Sequence, residues 1–106
     1  MIPRLPLGRT GLNVSVLSLG AGPIPELMTA SDPQRQQQVL RRALDHGINW
    51  IDTAHAYGFG KSEEVVGRAL KEWSGDVIIA TKCGVLPNEV RFPYRDANRE
   101  KILEEV

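Results

Sequence analysis

Cysteine is nearly absent: Cys83 stands alone among 106 residues, which rules out an internal disulfide or a clustered thiolate metal site and agrees with a reducing compartment. Long hydrophobic runs are missing too. Nothing approaches the ~20 apolar residues of a membrane span, and Met1-Ile2-Pro3-Arg4-Leu5-Pro6 lacks the apolar stretch of a secretory signal. Neither sign of charge is in excess. Lys plus Arg and Asp plus Glu number thirteen each, so no long-range field recruits nucleic acid or an anionic membrane. No internal repeat or low-complexity segment interrupts the chain. The expectation is a cytoplasmic protein with neither a nucleic-acid nor a membrane partner.

What is present is an alternation of strands and helices. Leu5 and Leu7 before Gly8-Arg9-Thr10-Gly11, with Leu12 and Val14 after it, predict a hairpin over Arg4 to Val14. Val16-Leu17-Ser18-Leu19 reads as a first strand ending at Gly20-Ala21-Gly22-Pro23, whose small residues let another group approach the backbone. As a phosphate loop this is weak, since the full Gly-x-Gly-x-x-Gly pattern is lacking. The stretch from Ile24 to Ser31 reads as a loop whose Leu27 and Met28 either line a pocket or cover a rim. Asp32-Pro33 opens a helix with an apolar stripe of Val39, Leu40, Ala43 and Leu44 that ends at Gly47. A second helix is expected from Ser62, with Glu63 and Glu64 at its positive end and Val65, Val66, Ala69, Leu70 and Trp73 on its buried side. Asp96-Ala97-Asn98 opens a third, through Ile102, Leu103 and Val106.

The chemistry gathers at two strand ends. Ile51-Asp52-Thr53-Ala54-His55-Ala56-Tyr57-Gly58 follows one β-branched run, and Ile79-Ala80-Thr81-Lys82 closes another, which is where parallel α/β folds place reactive groups. Side chains two apart on a strand share a face, so Asp52 lies with Trp50 and Ile48, and Lys82 with Ala80 and Ile78. The same alternation sends Cys83 the other way, toward packed helices, as a buried structural thiol rather than a reactive one. A free tyrosine side chain, with a reference pKa of about 10, protonates a carbonyl poorly at neutral pH unless nearby positive charge favours its phenolate. Lys82 is placed to supply that charge, and Asp52 to hold the ammonium. A bland reading exists for each: a turn-forming acid, a loop aromatic, a surface cation. A lysine closing an apolar strand is the hardest of the three to explain by solvation. His46, in the last turn of a helix, reads as a capping side chain, and His55 as a solvent-facing loop residue.

In this order and spacing, Leu7-Gly8-Arg9-Thr10-Gly11, Gly47-Ile48-Asn49 before the acid, Tyr57-Gly58 after it, Ser62-Glu63-Glu64, Gly67-Arg68-Ala69-Leu70 and Thr81-Lys82 resemble the aldo-keto reductase family over nearly the whole chain. The resemblance implies a TIM (β/α)8 barrel, with the hairpin plugging its floor, and an NADP cofactor, or NAD in its place. It also implies reduction of an aldehyde or ketone, or oxidation of an alcohol, by an Asp, Tyr, Lys and His tetrad. Asp52, Tyr57 and Lys82 match three members, with Tyr57 as proton donor; neither histidine replaces the fourth, which lies at the end of the family's fourth strand. Gly20, Ala21, Gly22 and Asp52 are the implied cofactor contacts, and no metal is implied.

A barrel of eight βα units takes ~250 residues, so 106 residues hold the hairpin and about three units, an N-terminal portion of one barrel domain spanning residues 1–106. Open edges of a parallel sheet predict self-association or pairing with a complementing chain, and an isolated segment without activity. The competing function is a cofactor-sensing or assembly role in a reductase-like barrel without catalysis.

Overall fold

The computed structural model describes residues 1–22, 26–86 and 94–106. The hairpin forms as its alternating apolar residues require: β1 (Arg4–Pro6) runs antiparallel to β2 (Asn13–Ser15), with Leu5 opposite Val14. In the turn, the backbone N–H and the hydroxyl of Thr10 both donate to the Leu7 carbonyl, at 3.1 and 2.6 Å. Asn49 ties the hairpin down. Buried itself, it accepts from the Ser15 N–H at 2.7 Å and donates to the Asn13 carbonyl at 3.0 Å, while its own N–H donates to the Ser15 hydroxyl. A buried amide with its groups thus partnered avoids the cost of desolvated polar atoms.

Three parallel strands, β3 (Leu19–Gly20), β4 (Trp50–Asp52) and β5 (Ile78–Ala80), form a sheet in that order, with Gly20, Asp52 and Ala80 in register. Crossovers through α1 (Pro33–Asp45) and α2 (Lys61–Leu70) join them as two βαβ units. The first strand starts later than the apolar run Val16–Leu19 suggests. The Val16 N–H donates to the Pro3 carbonyl at 2.9 Å, which prolongs the hairpin, and Val16 and Leu17 stay exposed.

Helix α1 begins where Asp32 accepts from the Arg35 N–H at 3.1 Å, with Pro33 at the first position, and ends at Asp45, with His46 as its C-cap and the chain turning away at Gly47. There φ is +97°, a left-handed backbone that favours glycine, and a Cβ would sit 2.8 Å from Cγ of Met1, whose exposed side chain would have to move. Its buried side is Gln36, Leu40 and Leu44, with Val39 and Ala43 only half-buried. Gln36 is tolerated inside because its amide donates to the Ala30 carbonyl at 2.6 Å. In α2 the cap is Gly60 in the left-handed region, not Ser62, while Glu63 and Glu64 occupy the first turn as expected. Met28, in a short 3₁₀ turn at Glu26–Met28, joins Ala21, Leu40, Ile51, Val65 and Val66 in the core, with Leu27 packed at its margin. These two residues therefore cover the core; positions 23–25, and with them Pro23 and Ile24, lie outside the described residues. Beyond the sheet, β6 (Val85–Leu86) pairs antiparallel with β7 (Tyr94–Arg95), and α3 (Arg99–Glu105) opens with the Asn98 side chain accepting from the Lys101 N–H.

Leu40 of α1 is fully buried in the core formed with Ala21, Met28, Ile51, Val65 and Val66. Leu40→Ala is expected to cost about 2–5 kcal/mol of stability through lost transfer energy and a residual cavity. Denaturant titration of the protein reads this directly, and a loss below about 1 kcal/mol would mean the site collapses around the smaller residue.

Candidate active site

Strand alternation decides which residues face the chemistry. Ile51 turns to the helices and is fully buried, so its neighbour Asp52 emerges on the opposite face at the C-terminal end of β4. Backbone pairing continues past the strand ends: Ala21 N–H donates to the Asp52 carbonyl at 2.8 Å, Thr53 N–H to that of Ala80 at 2.8 Å, and His55 N–H to that of Lys82 at 3.0 Å. These bonds bring residues 20–22, 52–57 and 81–82 to one end of the sheet.

There the Lys82 ammonium donates to the Asp52 carboxylate and, at 2.8 Å, to the Thr53 carbonyl. It stands 5.1 Å from the centroid of the Tyr57 ring. Acid, amine and phenol, 30 residues apart at the extremes, thus meet in one cluster. The hydrogen bond that the Lys82 ammonium donates to Asp52 is the main reason it keeps its proton above the usual lysine range. Partial burial opposes this, and the charge of Asp52 and the phenol of Tyr57 add to it. Asp52 and Lys82 side chains are 39% and 52% exposed, so solvent screens the pair and its value is orientation more than stability.

The loop that carries Tyr57 is held by Ser62 and Thr53, whose role here the sequence pattern does not signal. Ser62, fully buried, donates to the Ala21 carbonyl at 2.6 Å and shares a 2.9 Å hydroxyl contact with buried Thr53, linking the ends of β3 and β4 to the first turn of α2. Two hydroxyls nine residues apart leave no periodic signal, so only their burial identifies them. Gly58, Phe59 and Gly60 all have positive φ. A Cβ on Gly58 would lie 2.9 Å from Cβ of Lys61, and Phe59 carries the conformational cost that a side chain pays there. Glu63 also belongs to this end: it accepts from the Thr81 hydroxyl and lies 3.7 Å from Nδ1 of His55.

Among the residues singled out as cofactor contacts, Gly20 is exposed, and a Cβ there would meet nothing within 4 Å. A Cβ on Gly22 would stand 3.6 Å from the Tyr57 ring. The Tyr57 ring thus lies close against the backbone at Gly22. The Ala21 methyl turns into the core, leaving its backbone as the surface it offers.

Cys83 departs from expectation and is exposed. Strand β5 stops at Ala80 and Gly84 turns the chain at φ +91°, so the alternation that would bury the thiol no longer applies. His46 caps α1, its ring nitrogen 2.7 Å from the Arg42 carbonyl. His55 is half-buried between Glu63 and the edge of the Phe59 ring, and so faces solvent less than a free loop residue. A hollow of about 370 Å³ lined by His55, Glu63, Thr81, Lys82, Cys83 and Val106 adjoins the cluster. A wider groove of about 740 Å³ between the outer faces of α1 and α2 contains none of Asp52, Tyr57 or Lys82. Among the described residues no group of three or more His, Cys, Asp or Glu is placed to hold a metal.

Residues 16–106 match the model of the Aldo/keto reductase family. The chain is 44% identical over 100 residues to the aldo-keto reductase YhdN of Bacillus subtilis, a match covering 92% of this chain and 30% of that one. It is 38% identical to the NADH-specific methylglyoxal reductase of Escherichia coli, covering 97% of this chain and 36% of that one. Among solved structures, the holo form of aldo-keto reductase AKR11C1 from Bacillus halodurans superposes with a TM-score of 0.83 at 30% identity, over 98% of this chain and 34% of that one. The chain therefore spans about a third of the length of the relatives it matches.

Proposed function

The chain belongs to the aldo/keto reductase family and has the fold of the N-terminal part of its TIM barrel, and on that premise we propose that its protein reduces an aldehyde or ketone with NADPH. NADH is the alternative that the NADH-specific relative raises. One observation carries this reading: the Lys82 ammonium, bound to Asp52 and to the Thr53 carbonyl, lies beside the Tyr57 ring at the C-terminal end of a parallel sheet.

Gly20, Ala21 and Gly22 would hold the nicotinamide end by close backbone approach, with Asp52 at its margin. Hydride to the carbonyl carbon is the chemistry a reduced nicotinamide supplies when bound. Tyr57 donates its hydroxyl proton to the carbonyl oxygen, which becomes the alcohol, and the phenolate left behind faces the Lys82 ammonium. Because Asp52 and the Thr53 carbonyl hold that ammonium in position, the countercharge is in place before the proton moves and little reorganisation is needed. Oxidation of an alcohol runs the same steps in reverse. Purified full-length protein should oxidise NADPH or NADH when given methylglyoxal or a simple aldehyde, read by the loss of nicotinamide absorbance. Failure with both nucleotides across a panel of aldehydes and ketones would overturn the reading.

We further propose that residues 1–106 form the N-terminal portion of a single barrel domain, in a cytoplasmic protein. Balanced charge and a single cysteine support the location, and among the described residues no helix is long and apolar enough to cross a membrane. In that setting further strands would pair along the outer edge of β5. Expressed by itself, the segment leaves that edge unpaired among the described residues, with Ile79 of β5 49% exposed and Leu103 of α3 61% exposed. It is expected to self-associate in sedimentation and to turn over no carbonyl substrate. A compact monomer that oxidises NADPH with an aldehyde would contradict both expectations.

A further inference from the structure

Resting on the reductase reading above, we propose that Glu63 is a positioning residue that locks the loop bearing Tyr57 to the strand end bearing Lys82. The two catalytic groups come from different βα units, and past the ends of β4 at Asp52 and β5 at Ala80 only two backbone bonds, Thr53 N–H to the Ala80 carbonyl and His55 N–H to that of Lys82, carry the pairing toward them. Glu63 sits in the first turn of α2, six residues beyond Tyr57, hydrogen-bonded on one side of the gap and in proximity on the other. Oε1 accepts from the hydroxyl of Thr81, the residue before Lys82, and Oε2 lies 3.7 Å from Nδ1 of His55, two residues before Tyr57. His55 closes the ring through its backbone, whose N–H donates to the Lys82 carbonyl at 3.0 Å. The Phe59 ring packs edge-on against the imidazole, which limits its rotation.

The result is a closed circuit, Glu63 to Thr81 along the chain to Lys82, across to His55 and back to Glu63, with the reactive ammonium on one limb and the phenol on the adjoining loop. The Glu63 side chain is about one-third exposed, so its charge is partly screened and its pull on Lys82 is weak at range. What it supplies is geometry. A displacement of about 1 Å at a reacting group can cost as much as 10²-fold in rate, and the Tyr57 loop already holds a strained Phe59 that needs restraint. The contacts of Glu63 are with Thr81 and His55, so its removal acts on turnover through Lys82 and Tyr57.

The experiment uses the full-length protein, with Glu63→Ala, Glu63→Gln and Thr81→Val, reading kcat, KM, nicotinamide affinity and amide hydrogen exchange at His55. Glu63→Ala and Thr81→Val should each lower kcat about tenfold or more with KM and nucleotide affinity within about twofold, and the double variant should lose little beyond either single one. Glu63→Gln keeps a side-chain oxygen for the Thr81 hydroxyl and should recover most of the turnover. Exchange of the His55 amide should quicken about tenfold in Glu63→Ala, a local loosening that a general loss of stability spreads over all protected amides instead. Thr81→Val stands in if Glu63→Ala does not fold. An active wild type whose kcat is unchanged by Thr81→Val, or additive losses in the double variant, would overturn the positioning role and leave the reductase reading intact. A wild type without nicotinamide-dependent turnover would overturn the reductase reading, and this role with it.

Discussion

Replacing Tyr57 with phenylalanine in the full-length protein is expected to lower carbonyl turnover by ~10²-fold or more while nicotinamide affinity stays nearly unchanged. The substitution removes one hydroxyl and keeps the ring, so the packing of Tyr57 against the Gly22 backbone, where a Cβ would be only 3.6 Å from the ring, is retained. What is lost is the proton for the carbonyl oxygen and the phenolate that Lys82 faces across 5.1 Å to the ring centroid. Steady-state kinetics beside a nucleotide fluorescence titration separate the two quantities. Turnover within threefold of wild type would exclude Tyr57 as the acid, and the proton donor would then have to be sought among residues lining the adjoining hollow, His55 foremost.

Asp52 and Lys82 should fail as a unit. Lys82→Met and Asp52→Asn are each expected to cost ~10²-fold or more in turnover, and the double variant little beyond either one, because each single change leaves its partner without the group that orients it. Additive losses would mean that the two act independently despite their hydrogen bond. The pair also has a defined pH range. Asp52 raises the Lys82 pKa above its ordinary 10.5, so the stabilisation is fully present below that value and is lost as pH climbs through the raised folded one. The stability difference between wild type and Lys82→Met should therefore be flat through neutrality and shrink only in strong alkali, as followed by thermal unfolding at a series of pH values. A difference that already shrinks between about pH 6 and 8 would point to a histidine instead.

The elements most legible in the sequence were those with local causes. Asp32-Pro33 and Gly47 bound α1 because a side-chain oxygen, a ring-fixed φ and a missing Cβ act within one turn of chain. The hairpin follows from period-two alternation around a Gly-Arg-Thr-Gly turn. Asp52 and Lys82 were placed on one face by the same counting, and they meet there. The misplacements have equally local explanations. Val16 was drawn to β1 by a single backbone bond to Pro3, Ser62 left the cap position for the core, and Cys83 escaped burial because its strand had already ended.

The sequence by itself determined the order of the hairpin, the three parallel strands and the three helices, though not β6 and β7, and the three residue types that suit proton transfer to a carbonyl. It did so because periodicity, capping and turn chemistry act over a few residues and leave their mark in composition. Only the tertiary structure decided what pins those elements together: Asn49 on the hairpin, Gln36 on the Ala30 carbonyl, Ser62 on Thr53 and Ala21, Glu63 on Thr81 and His55. A buried polar group is stable only when a partner meets it, and that partner lies 6 to 41 residues away in the polar contacts of Gln36, Asn49 and Ser62. No local pattern encodes such a pairing, because the distance that matters is set by how the βα units stack and not by their spacing along the chain.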